Sequence, residues 1–82
     1  MITLLLFLTL TWTDNSNNEQ GFIIYRRAPG ASNYLEVGRV GPNVQRYRDQ
    51  RPKWWENYCY FVAAYNSAGR SETDEACNSN IK

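Results

Sequence analysis

Large and small apolar residues alternate through residues 58–65 and stop at a polar turn, Asn-Ser-Ala-Gly, in residues 66–69. Such period-two alternation is typical of a buried strand that enters a hairpin. No stretch of the chain keeps apolar residues at helical spacing, so the pattern predicts an all-β chain. Further strand-like runs, separated by Gly, Pro, Asn and Ser, occupy residues 8–12, 21–27, 34–40 and 44–49.

The order and spacing of these runs resemble a fibronectin type III domain. Tyr58 begins the pattern Tyr-x-Tyr-x-Val-x-Ala-x-Asn-x-x-Gly, which is similar to strand F and the F–G turn of that family, with Tyr58 as the tyrosine corner. Trp12 resembles the core tryptophan of strand B, the next three runs resemble strands C, C′ and E, and residues 71–75 fall at strand G. The resemblance covers residues 8–77. It implies an immunoglobulin-like β-sandwich of two antiparallel sheets, A–B–E and C′–C–F–G.

Alternation within the matched strands selects a set of inward positions. We expect the core to contain Leu8, Leu10, Trp12, Phe22, Ile24, Leu35, Val37, Tyr47, Tyr58, Tyr60, Val62 and Ala64. At 82 residues the chain corresponds to one small domain, 1–82, whose core alone gives marginal stability. A covalent crosslink would therefore supply a large share of its stability.

Cys59 and Cys77 are the two cysteines of the chain. Facing residues of an antiparallel hairpin have a constant index sum, and the sum for this pair centres the hairpin on Ala68, within the predicted turn. We therefore expect a cross-strand disulfide, which bacterial extracellular members of the resembled family often carry as well. Two reduced thiols are the alternative. A disulfide would indicate an oxidising compartment, either extracellular or periplasmic.

The charges are nearly balanced, at net +1, so no global field favours nucleic acid or a membrane. Seven of the nine basic residues lie between Arg26 and Lys53, whereas three acidic residues cluster in residues 71–75. In the implied sandwich these segments lie at opposite edges of one sheet. Either they are solvated charges that keep edge strands from pairing, or they form a positive and a negative edge suited to head-to-tail contact.

Residues 1–7 are apolar and depart from the family pattern, because no turn residue separates them from the strand B run. They lack the basic region and cleavage site of a signal peptide and are too short to span a bilayer, so we expect no membrane insertion. Strand A is then missing or displaced. Either the reading frame is truncated, or this segment is an edge or swapped strand that pairs with a partner. Leu4, Leu5 and Phe7 are therefore candidate partner contacts.

The segment between predicted strands E and F also departs from the family pattern. One of Trp54 and Trp55 is expected to fill the core position of a family leucine, and since adjacent residues of an extended chain point to opposite sides, the other is expected to be exposed. An exposed tryptophan beside Arg51 and Lys53 suits a protein contact or stacking on a sugar ring. These four residues are further candidate partner contacts.

Catalytic and cofactor chemistry is not indicated. The chain has no histidine, which removes Ser-His-Asp and Cys-His arrangements and histidine metal ligands. Glycine-rich phosphate loops and EF-hand spacing are absent from the sequence, so we expect no enzyme, cofactor or metal. Tyr47, between Arg46 and Arg48, matches a core position, which argues against a nucleic-acid partner.

Three functions stay open at this point. The first is an extracellular interaction or spacer module of the fibronectin type III class, and the fold alone cannot name its protein partner. The second is a self-assembling subunit, a filament or strand-swapped oligomer, that uses the apolar N-terminal strand. The third is a carbohydrate-contacting module that uses Trp54 or Trp55.

Overall fold

The computed structural model describes residues 7–13, 18–28, 30–50 and 57–77, and every regular element within them is a β-strand. The strands are β1 (Phe7–Thr11), β2 (Gly21–Arg27), β3 (Leu35–Val40), β4 (Arg46–Gln50), β5 (Cys59–Asn66), β6 (Gly69–Glu72) and β7 (Ala76–Cys77). The all-β prediction is confirmed. The runs predicted as strands B, C, C′, E and F correspond to β1 through β5, whereas the segment predicted as strand G, residues 71–75, overlaps only the end of β6 and otherwise lies between β6 and β7.

The strands form two antiparallel sheets. A small sheet pairs β1 with β4 and places Leu10 opposite Tyr47. A large sheet has the order β3-β2-β5-β6, and β7 pairs with the beginning of β5. Both sheets contribute to one apolar core, so the arrangement is sandwich-like.

The core lies between the two sheets. Leu10 of the small sheet packs with Phe22 and Ile24 of the large sheet, and the ring of Trp12 lies 5.5 Å from that of Phe22. Eleven of the predicted core residues are buried in this cluster or pack against it: Leu8, Leu10, Trp12, Phe22, Ile24, Val37, Tyr47, Tyr58, Tyr60, Val62 and Ala64. Alternation along the strands therefore identified most of the core.

The prediction that Leu35 belongs to the core is wrong, because this residue is 67% exposed. The register between β2 and β3 shifts next to it, so that Ile24 faces Gly38 whereas Tyr25 faces Glu36. Val37 is the extra residue of this β-bulge. Leu35 lies beyond the bulge, where it faces Arg26 at the start of the edge strand β3, and it is outside the core cluster, so alternation along the strand does not bury it.

The hairpin of β5 and β6 turns at Ser67 and Ala68, with Asn66 facing Gly69. The side-chain Oδ1 of Asn66 accepts hydrogen bonds from the backbone N–H groups of Ala68 (2.8 Å) and Gly69 (3.1 Å). Gly69 has a φ of 151°, which L side chains rarely adopt, so glycine suits the position. The turn is centred between Ser67 and Ala68 rather than on Ala68 as predicted.

Cys59 and Cys77 are bonded to each other, which confirms the predicted disulfide. They face each other across β5 and β7, with their Cα atoms 3.9 Å apart. This end of the hairpin has the predicted register, whereas the turn has a register that differs by one residue.

A β-bulge in the second strand accommodates the two registers. Thr73 still follows the register of the turn: its N–H donates to the carbonyl oxygen of Val62 at 2.9 Å, and its Oγ1 accepts the N–H of Val62 at 3.0 Å. From Ala76 onward the register of the disulfide applies. Asp74 and Glu75 therefore share the place opposite one residue of β5, and this irregularity separates β6 from β7.

Candidate interaction surface

Aromatic and arginine side chains lie together on the outer face of the large sheet. Because Phe22 and Ile24 of β2 point into the core, the residues between and after them, such as Tyr25, point away from it. We call this surface the Tyr–Arg face. It consists of Tyr25, Arg27, Tyr34, Arg39, Phe61, Tyr65 and Arg70.

Three aromatic rings form the centre of the Tyr–Arg face. Tyr25 and Phe61 are cross-strand neighbours, and their rings stack with centroids 4.7 Å apart and an interplanar angle of 14°. Tyr34 places its ring edge-on to Phe61, also at 4.7 Å, with an angle of 79°. Aromatic pairs of these geometries contribute about 0.5–1.5 kcal/mol each beyond the area they bury. The rings therefore hold one another in fixed positions.

Arg27 connects the aromatic centre to the bulge of the hairpin. Its guanidinium carbon lies 5.6 Å from the centroid of the Tyr34 ring, and its Nε and second terminal nitrogen donate to the two carboxylate oxygens of Glu75 at 2.8 and 3.2 Å. This two-pronged contact raises the pKa of Arg27. The bulge thus provides the carboxylate that fixes Arg27 against Tyr34.

Arg70 closes the same surface at the β6 edge. Its guanidinium lies 5.2 Å from the Tyr25 ring centroid and donates to the Tyr25 hydroxyl at 3.0 Å. Its other terminal nitrogen donates to Glu72 at 2.5 Å. The hydrogen bond to the Tyr25 hydroxyl is the main cause of a raised pKa at Arg70, and Glu72 acts in the same direction. Tyr25 therefore contacts both the ring of Phe61 and the guanidinium of Arg70.

Arg39 lies at the β3 edge of the Tyr–Arg face, opposite the β6 edge where Arg70 lies. It lies 5.7 Å from the ring centroid of Tyr65 and donates two hydrogen bonds to Glu36, at 2.5 and 3.1 Å. The hydrogen bond lowers the pKa of Glu36 and raises that of Arg39. Each arginine of the Tyr–Arg face therefore touches one aromatic ring and one carboxylate.

Two apolar side chains are buried beneath this layer. Ile23 is 7% exposed and Ala63 is fully buried, although neither belongs to the core cluster between the sheets. They face each other at the centre of the outer face, beside Arg39 and Glu72 of the neighbouring strands. The large sheet is thus covered on both sides at its centre, and the side chains of the Tyr–Arg face form a packed layer.

The two edges of the large sheet do not carry opposite charges, which was the second of the two interpretations of the charge distribution. The β3 edge has the Glu36–Arg39 ion pair, and the β6 edge has the Arg70–Glu72 ion pair. Each edge is therefore mixed in sign. The electrostatic basis for a head-to-tail contact between copies is correspondingly weak.

A buried ion pair joins the two sheets, and the sequence interpretation missed it. Asp49 of β4 is 4% exposed; both of its carboxylate oxygens accept from one terminal nitrogen of Arg26, at 3.1 and 2.8 Å, and one also accepts the Tyr60 hydroxyl at 2.7 Å. The Arg26 guanidinium lies 5.2 Å from the Tyr58 ring centroid. A signal was present, because Arg26 continues the inward alternation of Phe22 and Ile24.

Most of the predicted partner contacts cannot be compared with the structure. Leu4, Leu5, Arg51, Lys53, Trp54 and Trp55 lie outside the described residues. Phe7 begins β1, where its backbone faces Gln50 of β4. The contact assignments, and with them the carbohydrate interpretation, stay predictions.

One cluster near the disulfide has the residue types of a metal site. Ligand atoms of Cys59, Glu75 and Cys77 lie within 4.8 Å of one another. The two sulfurs are bonded to each other, however, and Glu75 accepts the hydrogen bonds of Arg27. This cluster is therefore a covalent crosslink next to an ion pair.

Among the residues that the structure describes, no helix has the length and apolar character needed to cross a membrane. Comparison of the chain with protein-family models, with curated proteins and with solved structures found no match. The strand order and the Tyr–Arg face are therefore the features from which a function is inferred.

Proposed function

We propose that the chain is a non-catalytic, extracellular interaction module of the fibronectin type III class. The sheet orders β1–β4 and β3-β2-β5-β6 support this, since they correspond to strands B–E and C′–C–F–G of that family's sandwich. Tyr58 is 4% exposed, as a tyrosine-corner residue should be, and its corner hydrogen bond stays a prediction. The disulfide is consistent with an oxidising, extracellular environment.

The Tyr–Arg face is the observation that supports binding over a passive spacer role. Tyrosine and arginine are enriched among the residues that dominate protein–protein affinity. Here the rings of Tyr25, Tyr34 and Phe61 are already fixed by one another, and the guanidinium groups by carboxylates. A surface whose side chains are fixed before binding loses less conformational entropy when a partner arrives.

The charge pattern of this face favours a protein partner over a polyanion. Arg27, Arg39 and Arg70 are each bound to a glutamate, so the surface presents no excess of positive charge. A nucleic acid or a sulfated polysaccharide would have to displace these carboxylates to reach the guanidinium groups. A folded protein with apolar groups and both signs of charge matches the face better.

Site-specific photo-crosslinking in the organism that produces the chain tests the proposal. A benzophenone amino acid is placed at Tyr65 on the Tyr–Arg face or, as a control, at Val44, an exposed residue before β4. We expect a discrete covalent adduct with another protein from position 65 and none from position 44. Adding Tyr25→Ala, which removes the ring that contacts both Phe61 and Arg70, should abolish the adduct at position 65.

The purified variants are first compared by thermal unfolding, so that a lost adduct is not mistaken for a lost fold. No adduct from position 65, or equal adducts from both positions, would contradict binding through this face. The module would then be a spacer.

A further inference from the structure

β1 is a sheet edge that is open on one side. It pairs with β4, and no other strand within the described residues pairs with it. An unpaired edge presents a row of backbone N–H and C=O groups that can bind another strand.

The direction of one hydrogen bond identifies the exposed backbone groups. The N–H of Trp12 donates to the carbonyl oxygen of Gln45 at 3.2 Å, toward β4. Bonding alternates along an antiparallel pair, so Leu10 also directs its N–H and C=O toward β4. Thr9 and Thr11 therefore direct theirs to the open side. Their side chains are exposed on the outer face of the small sheet.

The other edges carry features that discourage strand pairing. β3 has the Glu36–Arg39 pair and a bulge, and β6 has the Arg70–Glu72 pair and is followed by a bulge. β4 contains three charged residues in five. β1, Phe-Leu-Thr-Leu-Thr, has no charge, proline or glycine, and its register with β4 is continuous. Charges, prolines and bulges are the usual protection of natural edges, and β1 lacks them.

We infer that β1 pairs with β1 of a second copy of this chain, antiparallel and centred on Leu10. The two small sheets then join in one four-stranded sheet of order β4–β1–β1–β4. In this register Thr9 of each copy faces Thr11 of the other, and the open N–H and C=O groups of both residues are satisfied. A two-fold axis passes between the two Leu10 residues, so the contact closes as a dimer.

The second copy fits because β1 is complementary to itself. The register centred on Leu10 keeps leucines on the core side and threonines on the outer face in both copies. A shift of one residue would place leucine opposite threonine. The open N–H and C=O groups of Thr9 and Thr11 would then face backbone groups of the other copy that are already bonded to its β4. No like charges face each other across the contact, since β1 has none.

Two double variants test this register by sedimentation velocity over a concentration series. Thr9→Glu with Thr11→Glu places carboxylates opposite each other across the interface, whereas Thr9→Glu with Thr11→Lys places opposite charges there. Within the domain, Thr9 and Thr11 face Arg48 and Arg46, so the acidic substitutions suit the fold. We expect wild type to dimerise, the first variant to bind about tenfold more weakly or worse, and the second to stay within about threefold of wild type.

Amide hydrogen exchange on the unmodified chain gives an independent measurement that no variant can confound. Protection at Thr9 and Thr11 should rise with protein concentration, whereas protection at Leu10 should be the same at every concentration. A monomeric wild type at millimolar concentration overturns the proposal. So does protection of Thr9 and Thr11 that is independent of concentration, which would mean that the chain covers its own edge. Thr11→Lys places a lysine opposite Arg46, so the fold of the second double variant is first checked by thermal unfolding. If wild type dimerises but the folded second double variant does not, the register is wrong.

Discussion

The two strands of the small sheet have equal length and both are edge strands, yet they relate to their surroundings in different ways. β4 is charged and polar, and it is joined to the large sheet through Asp49, which binds Arg26 and Tyr60, and through the Tyr47 hydroxyl, which donates to the carbonyl oxygen of Val37 at 2.9 Å. β1 is uncharged and contributes apolar packing, and among the described residues it pairs with β4 alone.

This difference shows that charged residues in a small sandwich serve more than solubility. On β4, Asp49 acts between the sheets, where it joins one edge of the small sheet to the large one. On β1 the absence of charged residues leaves the edge available for pairing. Substitutions of the β4 residues that contact the large sheet should therefore reduce stability, whereas like charges placed at Thr9 and Thr11 of β1 should weaken association.

The largest expected effect comes from breaking the buried ion pair. Asp49→Ala leaves the Arg26 guanidinium and the Tyr60 hydroxyl without their shared acceptor, and the free energy of unfolding should fall by about 3–5 kcal/mol. Urea denaturation measures this. Asp74→Ala, at an exposed carboxylate, is the matched control and should change stability by less than about 0.5 kcal/mol. Equal losses would show that Asp49 does not join the sheets.

A smaller effect is expected where β3 approaches β4. The ring of Tyr47 lies where a Cβ atom of residue 38 would stand, so Gly38→Ala must displace that ring. We expect a loss of about 1–3 kcal/mol in unfolding free energy, as for other overpacked sites. Gly41→Ala is the control, because a Cβ there meets nothing within 4 Å. If Gly38→Ala were as stable as Gly41→Ala, the ring of Tyr47 would have room to move away from residue 38 at no cost.

The hydroxyl groups of Tyr47 and Tyr34 allow a contact between the sheets to be compared with one on the outer face. Tyr47→Phe deletes the hydrogen bond to the carbonyl oxygen of Val37, and it should cost about 1 kcal/mol. Tyr34→Phe removes a hydroxyl that accepts from Arg27 at 3.3 Å on the outer face, and it should cost less. Denaturation midpoints of the two variants, measured side by side, decide the order. A larger loss of stability for Tyr34→Phe than for Tyr47→Phe would contradict the stronger role of the hydroxyl between the sheets.

The smallest effect concerns the pH dependence of the β3 edge. The hydrogen bond from Arg39 lowers the pKa of Glu36 in the folded state, so the folded chain binds fewer protons than the unfolded chain in the acid range. The stability from this pair is present above the ordinary carboxyl pKa and is lost as the pH falls through the lowered value. Unfolding midpoints from neutral to acid pH should decline slightly less steeply for Glu36→Gln than for wild type. Parallel curves would show no such linkage.

The sequence predicted the features that depend on local pattern. Alternation and turn residues located the strands, most of the core and the disulfide, since each depends on neighbours in the chain or on one hairpin. The bulges at Val37 and at Asp74 and Glu75 were not predicted, because a register shift depends on how a strand fits its partner. The shift in the hairpin explains why the turn is displaced from Ala68, whereas Leu35 is exposed because it begins an edge strand outside the core cluster.

The candidate site was harder to predict than the fold. Alternation places Tyr25 and Phe61 on the same outer face, but the stacking of their rings requires the register of β2 with β5. The partner of Arg27 is Glu75, which comes from a hairpin strand beyond the bulge. These contacts join residues far apart in sequence, and charge counts along the chain suggested two separate edges instead.

The bulge at Asp74 and Glu75 also makes the tip of the hairpin adjustable in length. The turn and the disulfide follow registers one residue apart, and the extra residue lies between them. A turn lengthened by one residue can therefore be compensated by deleting Asp74, with Cys77 still opposite Cys59. We therefore expect loops with odd or even numbers of residues, grafted between β5 and β6, to leave the crosslink in place.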